Sequence, residues 1–363
     1  MSIKDIAHAA GVSHPTVSRA LSDNPLVSWK TRKRIQQLAR EMGYTPNKVA
    51  QSLQTRQTHT IGVIVTSIAD PFFADVVKGV EEVAHPAGLS VFLSSSYNDP
   101  GRELEIMEIY QRRRVDGFVI ASSRIGSAHG DRLASINVPV VLVSSQAESD
   151  VEFLHYVGLD DRAGAATAVT HLLELGHLRI GYIGVDNRPR SNQRRRDGYL
   201  DAMHRAGIEP PPEWIQIGQV PTSSPAGDVQ AGEISFTRLL PADLTAIFCY
   251  NDMVAVGAMQ ACRQHGVDVP AACSLVGFDD VELSRYVSPR LTTIHQPKQE
   301  MGRIGMEMML ALLQGRDVSS RVLNAELVER ESTARPVTPA GAGSDAAATA
   351  ALRRSRPMTP RRS

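Results

Sequence analysis

The sequence predicts an α/β protein in two parts: a small all-helical head, then a body of two parallel sheets flanked by helices. Three observations carry this. Apolar residues recur at helical spacing from Ile3 to Met42. From Thr60 onward, short apolar runs alternate with longer amphipathic stretches, as in parallel sheets covered on both faces. The alternation occurs in two successive sets, and 363 residues exceed what one domain usually holds.

The first helix opens at Ser2, with Asp5 completing an S-x-x-D capping box, and Ile3, Ile6, Ala7 and Ala10 share one face. Gly11 stops it and permits a tight turn. Ser13 caps a second short helix, HPTVSRAL, whose Val17, Ala20 and Leu21 point inward. A third starts at the Ser28 cap, repeats Ile35, Leu38, Ala39 and Met42, and ends at Gly43. Two short helices joined by a glycine-containing turn and braced by a third form a helix-turn-helix.

Charge supports a polyanionic partner for this head. Net charge is zero over the whole chain, yet residues 1–60 hold nine Lys and Arg against three acids. Residues 61–340 sum to −10 and residues 341–363 to +4. A basic head on an acidic body places nucleic acid at the head. In a helix-turn-helix the second helix enters the major groove and offers its N-terminal residues to base edges. Those residues are Ser13, His14, Pro15, Thr16, Ser18 and Arg19. Arg19 is the candidate base contact, because a guanidinium donates two parallel bonds to guanine. Pro15 offers only apolar contact, and Thr16 and Ser18 suit phosphates. His8 is expected at the surface.

The motifs IKDIAHAAGVSHPTVSRAL, VSWKTRKRIQQLAREMGYTPNKVAQSL, DPFFADVVKGVEE, RRRVDGFVIAS, GLDDRAG, HLLELGHLRIGYIG, NDMVAVGA, SLVGFDD, LTTIHQP and VERESTARP follow one another across residues 2–336. In this order and spacing the chain resembles the LacI/GalR family of bacterial transcriptional regulators. The resemblance implies a helix-turn-helix headpiece at 1–46, a hinge helix or linker at 47–59, and a periplasmic-binding-protein-like effector core at 60–335. It also implies a homodimer on a pseudo-palindromic operator. Within the hinge, Pro46 blocks continuation of the third helix, and Val49, Ala50 and Leu53 fall at helical spacing. So short a helix is marginal alone, because nucleation is costly. By resemblance Leu53 is the wedge that opens a base step in the minor groove; the plain alternative is a flexible linker.

In the body, IGVIV, LSVFLS, GFVIAS and VPVVLV supply the first set of strands, and RIGYIG, TAIFCY and SLVGF the second. Two such sets imply two lobes, with ligand at strand C-termini in the crevice between them. The chain is expected to cross between lobes near Asp160, Leu291 and Gly315. Lobe 1 is then about 60–159 with 292–315, and lobe 2 about 160–291 with 316–335. Asp70-Pro71-Phe72-Phe73 follows the first strand, Asn251 and Asp252 follow TAIFCY, and Asp279 and Asp280 follow SLVGF. By resemblance Arg195, Asn251 and Asp279 contact a sugar-like effector, with Phe73 as a stacking face and Phe72 beside it. Asp252 reads equally as a helix cap and Asp280 as a turn cap. Arg194, Arg196 and Arg112–Arg114 read as solvated charges, and His295 as structural. One departure is Ser144-Ser145-Gln146, where the family often places a sugar-binding aspartate; Asp70 partly substitutes.

Cys249, Cys262 and Cys273 lack metal-ligand spacing and read as reduced core thiols, so neither a metal nor a cofactor is expected. No run approaches the ~18 apolar residues of a membrane span, and residues 1–21 show no basic start followed by an apolar stretch and a cleavage site; a cytoplasmic protein is expected. Residues 336–363, rich in Pro, Ala, Gly, Ser and Arg, read as a disordered tail. The rival class is a sugar- or nucleotide-processing enzyme with a regulatory head, in which Asp252 and Asp279 would form a glycosidase pair. The nucleotide-binding and hydrolase glycine motifs are absent from the body. A constitutive architectural protein with a vestigial cleft is the other rival.

Overall fold

Capping and turn chemistry set the head. A computed structural model describes residues 2–44, 57–121, 136–144, 155–220 and 227–337, and the chain divides into two units between Thr58 and His59. Leu53 and most of the hinge, Ser145, Gln146 and the tail beyond Val337 lie outside the described residues. In the first unit α1 spans Ile3–Ala10, α2 His14–Leu21 and α3 Trp29–Glu41. The Asp5 carboxylate accepts from the Ser2 amide at 2.7 Å, and the Ser13 and Ser28 hydroxyls accept from the amides of Thr16 and Thr31. Gly11 sits at φ 63°, which glycine adopts without a Cβ penalty. The third helix also closes the first two from its side: Arg34 donates to the Ala10 carbonyl at 2.7 Å and Gln36 to that of Ala20 at 3.2 Å. Ile6, Val17, Ala20, Ile35 and Ala39 meet in the centre.

The second unit contains two six-stranded sheets. In the first lobe β1 (Thr60–Val65), β2 (Ser90–Ser95), β3 (Gly117–Ala121), β4 (Val140–Val143) and β5 (His155–Leu159) stand in the order β5-β4-β3-β1-β2. Helices α4 (Pro71–Ala84) and α5 (Pro100–Arg112) connect its early strands. In the second lobe β6 (Ile180–Val185), β7 (Ile215–Gly218), β8 (Ala246–Cys249), β9 (Ser274–Asp279) and β10 (Thr292–His295) stand as β10-β9-β8-β6-β7. Its helices are α6 (Asp161–Glu174), α7 (Pro189–Arg205), α8 (Gly227–Leu239) and α9 (Asp252–Gln264). The two lobes thus repeat one topology, each with a switch point beside its first strand where ligand crevices form. Core strands such as β1, β3, β6 and β8 are buried along their whole length, as expected of a sheet covered on both sides.

The chain crosses between lobes at Asp160, as the sequence suggests, but the next two crossings differ from expectation. Strand β10 pairs with β9, so the second crossing follows His295, not Leu291. Helix α10 (Lys298–Leu313) returns to the first lobe against α4. Strand β11 (Arg321–Leu323) pairs with β5 in the first sheet, and β12 (Glu326–Val328) pairs antiparallel with β10 in the second. The third crossing therefore lies at Asn324–Ala325, beyond Gly315. Both displaced strands are only three or four residues long and of mixed polarity, Thr-Thr-Ile-His and Arg-Val-Leu, and only their ladder partners decide the lobe. The α4–α10 seam is built on glycine: a Cβ at Gly79 would strike the Gln299 carbonyl, and one at Gly302 the Val76 carbonyl.

Candidate functional site

On the head, the N-terminal half of α2 is presented outward. Ser13, His14, Pro15 and Arg19 are exposed, while Thr16 and Ser18 are half-buried. Val17 and Ala20 on the opposite face are fully buried, which fixes the rotation of α2. Thr16 shares a 2.8 Å hydroxyl contact with Ser13. The surface is a convex helix face with a cation at one end, the shape that fits a groove. His8 is exposed, as expected.

In the body, the strand C-termini of both lobes converge on one interlobe cavity lined by Asp70, Phe72, Phe73, Ser144, Arg188, Ser191, Arg195, Tyr250, Asn251, Asp279 and Gln296. All five side chains singled out as effector contacts, Phe72, Phe73, Arg195, Asn251 and Asp279, are among them. The remaining space is about 30 Å³, on the scale of a water molecule or two and far below a sugar ring.

Each wall has a local cause. Asp70 caps α4, its Oδ1 accepting from the Phe72 amide at 3.0 Å, which leaves Oδ2 facing the cleft. Phe72 and Phe73 pack edge to face with ring centroids 5.1 Å apart, and both also belong to the first lobe's core. Arg195 projects from α7 and is 4% exposed. Its Nε donates to Asp161 at 2.8 Å and its Nη1 to the Tyr250 carbonyl at 2.6 Å. Its guanidinium lies 3.7 Å from the Phe278 ring centroid and 4.4 Å from that of Tyr250. Burial opposes its charge, but Asp161, Tyr250 and Asp279 outweigh it and hold the pKa above the ordinary value.

Asn251 corrects the reading of its neighbour. The cap of α9 is Asn251, whose Oδ1 accepts from the Val254 amide at 2.9 Å, while its Nδ2 donates to Asp228 at 2.7 Å. Asp252 is fully buried and accepts from the Val281 amide and the Thr293 hydroxyl, so it ties the ends of β9 and β10 together and does not face the cleft. That separates it from Asp279 in role and removes the pair on which the glycosidase reading depends.

Asp279 ends β9 at φ 111°, followed by Asp280 at φ 51°, a strained conformation for residues with a Cβ. Lys298 holds it there: its buried Nζ donates to the carbonyls of Asp279 at 2.7 Å and Asp280 at 2.8 Å, while Gln296 donates to the Asp279 carboxylate. Lys298 opens α10 of the first lobe, so the clamp spans the second crossing. Burial pushes the Asp279 carboxyl up to about 7, with Arg195 acting against it. Asp280 turns the other way, accepting from His295 at 2.9 Å, from Ser284 and from Arg330. Despite partial burial, those partners hold its carboxyl well below the usual range. Asp280 is thus the hub of an ionic cluster behind the cleft and more than a turn cap, and His295 is structural as expected.

Sequence reasoning missed Arg188, Asp228, Tyr250, Ser191, Gln296 and Asp161. Arg188 follows β6 and caps α7, so the rule of looking at strand ends applied equally to β6 would have found it. Asp228 lies in the first turn of α8, where no strand precedes it closely in sequence to mark it. The three cysteines are free and buried, and burial pushes their thiols up, which makes them unreactive. Among the described residues no cluster of His, Cys, Asp and Glu is suited to a metal, and no helix is long and apolar enough to cross a membrane.

Residues 2–47 match the family model of bacterial regulatory proteins, lacI family, and residues 169–333 match that of the periplasmic binding protein-like domain. Over 340 residues the chain is 35% identical to the HTH-type transcriptional regulator GalR of Escherichia coli (strain K12), covering 92% of this chain and 96% of GalR. The solved dimer of the Lac repressor bound to operator and the anti-inducer ONPF aligns with a TM-score of 0.81 at 28% identity, covering 92% of this chain and 99% of that one. The complex of the transcriptional regulator CelR with cellobiose aligns at 0.67 and 27% identity, over 92% of this chain and 99% of CelR. With a helix-turn-helix head and a two-lobed α/β body along the same length, the chain belongs to the lacI family of bacterial transcriptional regulators.

Proposed function

We propose that the protein is a repressor that binds a pseudo-palindromic operator as a homodimer and is controlled by a sugar-like effector in the interlobe cleft. The observation that carries this is the convergence of Phe72, Phe73, Arg195, Asn251 and Asp279 on one cavity between two lobes of a lacI-family chain. The similar Lac repressor is a dimer on operator, and the similar CelR holds cellobiose, so the reading transfers both partners from relatives to this chain.

Arg19 is the base-reading residue, supported by Pro15 and His14, while Ser13, Thr16 and Ser18 meet phosphates and position the head. Leu53 in the hinge is assigned the minor-groove wedge. In the cleft, guanidinium, amide and carboxylate groups supply the donors and acceptors that vicinal hydroxyls require. A cavity of about 30 Å³ admits no sugar ring, so entry requires the lobes to part. Ligand then biases one lobe arrangement over another, and the shift passes through the first lobe to the hinge. Driving occupancy from 1:99 to 99:1 needs a preference of about 10⁴-fold for one state. The protein acts by binding alone, in the cytoplasm, with no cofactor.

The experiment is a binding titration of the full chain against fragments of its own promoter region, with random duplex as competitor, repeated across a panel of sugars. The reading requires one fragment to be preferred and one sugar to change that affinity. Equal binding to every fragment, or turnover of the sugar that binds, would sink it.

A further inference from the structure

Among the described residues, two arginines line the cleft, and each is held between carboxylates. Arg188 donates from Nη2 to Asp70 at 3.0 Å and from Nη1 to Asp228 at 2.7 Å. Asp70 belongs to the first lobe and Asp228 to the second, so the guanidinium is bracketed from both sides of the crevice. All three side chains are between 11% and 15% exposed. Arg195 is bracketed likewise, by Asp161 at 2.8 Å and Asp279 at 3.6 Å. Among the described residues at the cleft, four carboxylates therefore face two guanidiniums.

Helix ends tell the same story. The N-termini of α4, α6 and α8 carry partial positive charge, which in other α/β sites attracts phosphate. Here Asp70 caps α4, Asp160 and Asp161 occupy the start of α6, and Asp228 occupies the first turn of α8. The protein supplies its own anions at each of these positions. Burial raises the Asp70 and Asp279 carboxyls against the pull of the arginine beside each, and the neighbouring carboxylates (Asp228 beside Asp70, Asp70 beside Asp279) add to the rise.

We infer that the cleft accepts an uncharged polyhydroxylated effector and rejects phosphorylated or carboxylated ones, and that Arg188, neutralised by Asp70 and Asp228, is the residue that sets this selectivity. The inference rests on the effector reading above and narrows it. Hydroxyls bridge the bracketed groups without displacing any of them, since each can donate to a carboxylate oxygen and accept from a guanidinium. A phosphate brings two further negative charges beside Asp70, Asp161 and Asp228 and a partly ionised Asp279, in a place where repulsion is poorly screened.

Inorganic phosphate is a probe that needs no knowledge of the effector. Thermal unfolding of the full chain is followed in sodium phosphate against sodium chloride of equal ionic strength. The wild type is expected to show no saturable shift. Asp70→Asn combined with Asp228→Asn leaves Arg188 unneutralised, and phosphate should then bind at least about tenfold more tightly than to the wild type. Adding Arg188→Gln should abolish that gain. Should the double variant fold poorly, Asp70→Asn alone serves, with a smaller gain of the same sign. Saturable phosphate binding by the wild type that Arg188→Gln removes would overturn the inference, as would a folded variant with no gain. A second arm compares wild-type stabilisation by glucose and galactose with that by their 6-phosphates, and any preference for a phosphorylated member also overturns it. Operator binding measured on the same wild-type sample reads the effector-controlled repressor separately, so the two can fail independently.

Discussion

The exposed face of α2 and the interlobe cleft handle charge in opposite ways. On α2, Arg19 stands exposed on a basic head whose acids are few. In the cleft, Arg195 is buried and Arg188 largely so, and each is held between two carboxylates. A surface that leaves its cations open is prepared for a partner that brings negative charge. A cleft that neutralises its own cations is prepared for a partner recognised by hydrogen bonds. The difference between the two sites lies in where the counter-charge comes from.

The largest effect that would sharpen this contrast is expected at Arg195. Arg195→Ala leaves the buried Asp279 and the half-buried Asp161 without their cation, a loss that typically costs about 3–5 kcal/mol. Urea denaturation should show the second lobe strongly destabilised, and the ligand response should vanish. A midpoint like that of the wild type would show the bracket to be unimportant. On the head, Arg19→Ala should leave stability unchanged and cost about 1–3 kcal/mol of discrimination between operator and random duplex. Competition binding would expose the error if specificity stayed the same.

A third test uses pH. Burial raises the Asp279 carboxyl to about 7 in the fold, against about 3.9 in an unfolded chain. The folded state therefore holds an extra proton between those values, and stability should fall as pH rises from about 4 towards 7. Asp279→Asn should flatten this slope. Asp280 contributes with the opposite sign: its lowered pKa adds stability above the unfolded value that is lost as pH falls below it. A pH profile of unfolding that is unchanged in Asp279→Asn would remove the residue from this role. The smallest effect belongs to the head's caps. Ser28→Ala should cost about 1 kcal/mol, as for other N-caps, and residue-resolved hydrogen exchange at the α3 amides would measure it.

Much of the head was legible because its determinants are local. The capping residues Ser2, Ser13 and Ser28, the turn at Gly11 and the spacing of Val17 and Ala20 all act within a few positions of themselves. They fixed which face of α2 points outward before any packing was known. The effector candidates Asp70, Asn251 and Asp279 were legible for a related reason: each lies at the end of an apolar strand or within five residues after it, and strand ends are where α/β crevices form. Asp252 was not separable from Asn251 by that rule, since adjacent residues at a helix start take opposite fates depending on the cap. The sequence also could not assign β10 and β11 to a lobe, because a three- or four-residue strand of mixed polarity carries no mark of its neighbour.

From the order of residues alone came the helical head, the alternating body, the family resemblance and the side chains that gather at the cleft. Folding in three dimensions decided what holds those side chains. Arg188 meets Asp70 across 118 positions of chain and Asp228 across 40. Lys298 clamps the strained backbone of Asp279 from the start of a helix in the other lobe. Burial depends on every element that packs around a group, and an ion pair depends on distance in space, so neither can be read from residues taken in order.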